Sequence, residues 1–171
     1  MTAGHRLVVD VRDFPRPGVT FRDITPLLAD PDALAEVADV LADGLRPYRP
    51  DAVLAIEARG FLLTPLVAAR LGVGLVLARK PGKLPRPTHG IDYELDYGPG
   101  RLEIHRDAVP DGTRIAIVDD ILATGSSAEA AATLVRELGG EVVGCGVVMV
   151  LEELSGRDRL SGVPVVSAVT G

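Results

Sequence analysis

The sequence predicts an α/β fold, a central and mostly parallel sheet flanked by helices. Three observations lead there. Short apolar runs at Ala52–Ile56, Leu75–Ala78, Ile115–Val118 and Val142–Leu151 alternate with helical patterns. The Ile115–Val118 run is apolar on both faces, as a central strand of a parallel sheet must be. The length, 171 residues, and a hydrophobic content of 47% suit one domain, residues 1–171, with a real core.

Taken in order, residues 5–12 fit either a short strand or a short helix. Asp13–Thr25 follows, where Pro15, Pro17 and Gly18 forbid a helix through the first half. The segment reads as a stiff loop carrying Phe14, Phe21, Arg16 and Arg22. It is either a packed N-terminal arm or a loop whose Phe21 stacks on a planar ligand. Asp30-Pro31 then starts a helix, with an N-cap carboxylate and proline at the first helical position. Leu34, Val37, Ala38, Leu41 and Leu45 share one face, and Pro47 ends it.

The strand Ala52–Ile56 runs into Glu57-Ala58-Arg59-Gly60. An arginine and a glycine at the carboxyl end of a strand sit where open α/β sheets bind ligands; a surface arginine at a strand–helix turn is the plainer alternative. A helix is expected over 61–71, with Pro65 tolerable only near its start and Gly72 as its cap. The strand Leu75–Ala78 leads into Arg79-Lys80-Pro81-Gly82-Lys83-Leu84-Pro85-Arg86-Pro87, a dense basic cluster in an acidic chain. Alternation at Tyr93, Leu95, Tyr97 and at Leu102, Ile104 around Gly98-Pro99-Gly100 predicts a β-hairpin. A long excursion of this kind, about residues 80–105, reads as a flexible lid.

Pro110-Asp111-Gly112 turns the chain into its most informative stretch, Ile115–Ser127. Four apolar residues form a strand that should end at Asp119-Asp120. A turn of small and hydroxyl residues, Ala123-Thr124-Gly125-Ser126-Ser127, precedes a helix over about 126–138. Loop amides and the positive end of a helix suit a phosphate. The two carboxylates cannot face that phosphate, so they suit a hydroxylic or cationic group beside it, and a sugar phosphate has the hydroxyls. The other phosphate motifs do not apply: no lysine ends the loop, and no triplet of spaced glycines follows the first strand. Gly-x-Ser-x-Gly is also absent. Strands over Val142–Leu151 and Pro164–Val169 complete the sheet.

Net charge of −6 argues against bulk binding to nucleic acid. No apolar run approaches a membrane span, and the first residues lack the apolar core of a signal peptide. The single cysteine, Cys145, excludes an intrachain disulfide. A cytoplasmic protein that binds neither nucleic acid nor membrane is expected.

The ordered set of apolar strand, Asp119-Asp120, two apolar residues, Ala123-Thr124-Gly125 and hydroxyls resembles the 5-phosphoribosyl-1-pyrophosphate (PRPP) signature of the type I phosphoribosyltransferases. Within that family the chain is similar to the members that take adenine. Phe14–Ile24 resembles their N-terminal segment and Glu57–Phe61 their pyrophosphate loop. Arg79–Pro85 resembles their basic segment, and Asp96-Tyr97-Gly98 with Leu102-Glu103-Ile104 their hairpin. Four motifs in the same order span nearly the whole chain.

The resemblance implies the family fold, with a small N-terminal hood over residues 1–30 and a lid. It implies that Asp119 and Asp120 accept hydrogen bonds from the ribose hydroxyls of PRPP. Ala123, Thr124, Gly125, Ser126 and Ser127 would wrap the 5′-phosphate. Ala58, Arg59, Arg79, Lys80 and Lys83 would bind pyrophosphate, some of them in the neighbouring subunit of a homodimer. Thr20, Phe21, Arg22 and Ile121 would bind adenine. Mg²⁺ would be the cofactor, held mainly through PRPP and pyrophosphate with no direct protein ligand. Adenine N9 would displace pyrophosphate at C1′ with inversion, giving AMP, while the lid excludes water.

The family often has a cis peptide just before its arginine, here Ala58–Arg59. Two departures stand out. Ser126 occupies a glycine position, so its backbone must either avoid a strained φ or be compensated by hydrogen bonds. Asp96 replaces the lid glutamate often assigned as acid or base, one methylene shorter, with Tyr97 and Glu94 beside it as the further catalytic candidates. Two other readings share the PRPP signature: transfer to another base, and a PRPP-sensing regulator without catalysis.

Overall fold

The structure, a computed structural model, describes residues 7–95 and 98–169. A hairpin opens it, with β1 (Val9–Arg12) antiparallel to β2 (Thr20–Asp23). The second half of the presumed loop is therefore a strand. The intervening turn is closed by Asp13, left-handed at φ 57°, whose carboxylate accepts from the Gly18 amide at 2.7 Å. Residues 9–12 take the strand alternative.

A short helix α1 (Thr25–Ala29) follows, its start organised by Asp23, which accepts from the Thr25 amide at 2.9 Å and hydroxyl at 2.8 Å. Then come α2 (Pro31–Leu45), β3 (Ala52–Ile56), α3 (Gly60–Leu71) and β4 (Gly74–Ala78). Asp30 caps α2 through the amides of Asp32 and Ala33. Pro65 lies further into α3 than expected, at the sixth residue. Its missing N–H leaves the Phe61 carbonyl, in the first turn, without the usual donor. The second hairpin, β5 (Thr88–Leu95) and β6 (Gly98–His105), is antiparallel, with Leu95 opposite Gly98. Gly98-Pro99-Gly100 belong to β6, so the reversal precedes them. Proline is tolerated there because both strands of a two-stranded ribbon are edges.

The remaining elements are β7 (Arg114–Leu122), α4 (Ser126–Glu137), β8 (Glu141–Val150) and β9 (Val165–Val169), with 3₁₀ turns at Glu152–Leu154 and Gly156–Leu160. The main sheet has the order β4-β3-β7-β8-β9 and is parallel throughout.

Two apolar layers sandwich the sheet. Ala116 and Val118 of β7 pack with Val37 and Leu41 of α2 and Leu63 and Val67 of α3. Ile115 and Ile117 pack toward Ala131 and Leu134 of α4 and toward Leu102 and Ile104 of β6. Period-two alternation of β7 thus feeds both cores. Leu134 is fully buried. Leu134→Ala should cost about 2–5 kcal/mol of stability, measurable by urea unfolding.

The strand order has a further consequence. From β3 the chain crosses outward to β4, and from β7 it crosses the other way to β8. The adjacent carboxyl ends of β3 and β7 form a topological switch point, where open α/β sheets leave a crevice.

Candidate active site

That crevice is a cavity of about 710 Å³. Its floor is the end of β7 and the loop into α4. Its roof is β2 with the turn before it, and one wall is formed by Leu151, Glu153 and Leu154. Thr20, Phe21, Arg22, Arg59, Asp119, Asp120, Ile121 and all of residues 123–127 line it. Fold topology therefore brings the predicted phosphate, ribose and base residues into one space.

β7 does not stop at the acids. It continues through Ile121 and Leu122, with Ile121 paired to Met149 and Leu122 to Val150. The carboxylates consequently sit on a paired strand, which fixes their backbone. The Asp120 amide donates to Asp119 Oδ1 at 2.9 Å. Asp120 is 3% exposed, and its Oδ2 lies 2.8 Å from Arg59 Nε. The N–H does not point at that oxygen, so Oδ2 has an ionic neighbour but no hydrogen-bond donor within the described residues. A buried acceptor without a donor is costly, and a sugar hydroxyl would satisfy it.

Arg59 is held from behind. A Cβ on Gly60 would come within 2.9 Å of the Val118 carbonyl oxygen, so only glycine lets the start of α3 approach β7 this closely. The buried Thr64 hydroxyl donates to the Gly60 carbonyl at 2.6 Å and lies 3.3 Å from that of Val118. In front, the Arg59 guanidinium lies 4.8 Å from the Phe21 ring centroid, over its face. Phe14 meets Phe21 edge-on at 5.2 Å and stiffens the aromatic platform. The cis peptide in this loop is Glu57–Ala58, one bond earlier than expected.

At the other end, Gly125 takes the left-handed conformation at φ 83° and caps α4. Ser126 is the first helical residue and is not left-handed, so the glycine-to-serine departure carries no backbone penalty. No side chain caps α4. Its first amides are left for another acceptor, and they border the cavity. The Thr124 and Ser126 hydroxyls are 3.3 Å apart at its edge.

Electrostatics matches this layout. Burial, and then the neighbouring Asp120 charge, pushes the Asp119 carboxyl well above the ordinary range. Burial also raises Asp120, with Arg59 opposing. Such groups bind protons more tightly folded than unfolded, so their ionisation weakens the fold as pH rises above the ordinary carboxylate range. Asp119→Asn should therefore raise the melting temperature of the unliganded protein near neutral pH. The gain should shrink as pH falls toward about 5, as thermal melts across pH would show.

The basic segment lies elsewhere. Arg79, Lys80 and Lys83 do not line the cavity, nor does Ala58. Arg79 pairs with Glu57 at 3.2 Å, donates to the Lys83 carbonyl at 3.0 Å and lies over Phe61. Glu57 also accepts from the Lys80 amide at 2.9 Å. Burial pushes the Glu57 carboxyl up, but the Lys80 amide and Arg79 outweigh it and hold it below the ordinary range. Glu57 thus ties the basic segment to the loop bearing Arg59, a role its sequence position did not announce. Glu94 is exposed on β5, opposite Pro99, away from the cavity. Asp96 and Tyr97 lie outside the described residues.

Sequence reasoning also missed the wall at 151–154. Its residues follow a strand in a stretch with neither periodicity nor a ligand motif. Among the described residues no group of three or more His, Cys, Asp or Glu could hold a metal ion, and no helix is long and apolar enough to cross a membrane.

The chain is similar to known proteins over nearly its whole length. The phosphoribosyl transferase domain family matches residues 23–168. An adenine phosphoribosyltransferase of Frankia casuarinae is 53% identical over 167 residues, covering 98% of this chain and 88% of that protein. The crystal structure of adenine phosphoribosyltransferase from Thermoanaerobacter pseudethanolicus superposes with a TM-score of 0.93 at 45% identity, covering 97% of this chain and 96% of the other. The Saccharomyces cerevisiae enzyme, complexed with an imino-altritol bisphosphate and adenine, superposes at 0.90 with 36% identity, covering 96% and 95%.

Proposed function

The chain belongs to the phosphoribosyltransferase family, and on that premise we propose how its cavity works. The reaction is transfer of the 5-phosphoribosyl group from PRPP to N9 of adenine, giving AMP and pyrophosphate, a step of purine salvage. One observation carries the assignment of roles: Asp119, Asp120, the uncapped start of α4, Arg59 and Phe21 share a single cavity.

The α4 end and the hydroxyls of Thr124, Ser126 and Ser127 hold the 5′-phosphate. Asp119 and Asp120 accept from the ribose 2′- and 3′-hydroxyls, which places C1′ toward Arg59 and Phe21. Adenine stacks between Phe21 and Ile121, with its edge read by backbone around Thr20–Arg22. Arg59 takes pyrophosphate, joined by Arg79, Lys80 and Lys83 from this chain or a partner. C1′–O cleavage runs ahead of N9–C1′ bond formation, and the cationic sugar lies beside the two carboxylates. Glu94, Asp96 and Tyr97 are the proposed lid groups that exclude water and move the purine proton.

The donors suit Mg²⁺. The ion would be held mainly through PRPP and pyrophosphate, with the hard carboxylate oxygens of Asp119 and Asp120 nearby at the ribose position. When bound, the ion would supply charge neutralisation of the departing pyrophosphate.

A homodimer would cover exposed apolar side chains, Leu62 of α3 and Leu75 and Leu77 of the edge strand β4, 51%, 41% and 37% exposed. Replacing Leu75 and Leu77 together by glutamate should leave a monomer in sedimentation. The buried, unpaired Cys145 thiol, pushed up to about 12 by burial, fits a cytoplasmic setting.

Incubation with PRPP, Mg²⁺ and each of adenine, hypoxanthine, guanine, xanthine and orotate tests the reading. AMP and pyrophosphate should form in equal amounts from adenine alone. Turnover with another base at comparable efficiency would refute the base assignment, and PRPP binding without turnover would refute catalysis.

A further inference from the structure

We infer that Gly156 is a positioning residue for the phosphate loop, through a backbone interlock between the 3₁₀ segment after β8 and residues 123–125. The inference rests on the phosphate assignment above.

Gly156 is buried although it follows an exposed run. A Cβ there would overlap the Ala123 carbonyl oxygen and come within 3.0 Å of the Gly125 amide nitrogen. The relation is reciprocal: a Cβ on Gly125 would fall 2.5 Å from the Gly156 carbonyl oxygen. Two glycine backbones therefore press against each other, and neither admits a side chain without displacing the other. Gly125 is the left-handed N-cap of α4, whose first residues border the cavity. A shift there of a fraction of an ångström re-aims their amides.

The segment bearing Gly156 is itself held. Arg159 pairs with Glu129 in the first turn of α4 at 2.7 Å. Arg157 pairs with Glu152 at 3.1 Å, and Leu160 is buried in the core beneath α4. Leu151, Glu153 and Leu154 line the cavity just before it. One strap thus supplies a cavity wall and the backstop of the loop. Gly156 touches no ligand on this geometry; it acts by keeping residues 123–125 where they are.

The test compares wild type with Gly156→Ala. The variant should raise KM for PRPP at least about tenfold while KM for adenine changes less than about twofold. A general loss of packing would not produce that split. Equal KM values for PRPP in the two proteins, or parallel rises for both substrates, would overturn the inference. Should the variant not fold, hydrogen exchange on the wild-type protein decides. Saturating ribose 5-phosphate should slow amide exchange at 154–158 as well as at 123–127. Protection that stops at residue 127 would refute the interlock. No protection anywhere, with AMP still formed, would instead sink the phosphate assignment and this inference with it.

Discussion

Asp120→Ala should lower kcat/KM for PRPP by at least about 100-fold. A hydrogen bond to a charged group is worth about 1.5–3 kcal/mol, and this carboxylate is assigned one from the ribose. The substitution also removes the anion 2.8 Å from Arg59 and so releases the side chain assigned to pyrophosphate. Asp43→Ala is the matched control, an exposed carboxylate on α2 outside the cavity, and should change nothing beyond about twofold. Steady-state kinetics with adenine saturating reads both. Equal activities in the two variants would remove Asp120 from the site.

Arg59→Ala is the second large effect, about 100-fold in kcat/KM for PRPP with a smaller change in KM for adenine. The asymmetry follows from geometry, since Arg59 spans Asp120 and the Phe21 ring. Losing the guanidinium removes the pyrophosphate contact yet leaves the aromatic platform. There is also a pH signature. Arg59 opposes the upward push of burial on Asp120, so without it the Asp120 carboxyl rises further. Less of it is then ionised at a given pH, and the acid limb of the pH–rate profile should move to higher pH. Arg59→Lys keeps the charge and should move the limb less. An unshifted limb in Arg59→Ala would detach the arginine from the carboxylate it neighbours.

Much of this site was legible in the chain because its parts are local. A strand, two acids, a small-residue turn and a helix lie within residues 115–138, so spacing alone orders them. Arg59 was legible for the same reason, as a charged residue at a strand end. What spacing could not supply were relations between distant segments. Glu57 had no role of its own in the sequence until the fold set it against Arg79 and Lys80. Gly156 was invisible because its constraint is the backbone of residues 123–125, some 30 positions away.

Element ends were misread where pairing overrode composition. Asp119 and Asp120 looked like a strand terminus, yet β8 extends alongside and keeps β7 paired to Leu122. Thr20–Asp23 looked like loop because prolines precede it, yet β1 offers it a partner. The Ser126 substitution was a concern in sequence and none in structure, because Gly125 alone takes the left-handed turn.

The most direct measurement is a crystal structure with PRPP and Mg²⁺. The 5′-phosphate should lie on the amides of residues 124–127, the ribose 2′- and 3′-hydroxyls on Asp119 and Asp120, and pyrophosphate on Arg59, with Phe21 free to stack. Density for PRPP with its 5′-phosphate on the Arg79–Lys83 segment, or with ribose hydroxyls away from both carboxylates, would contradict that placement.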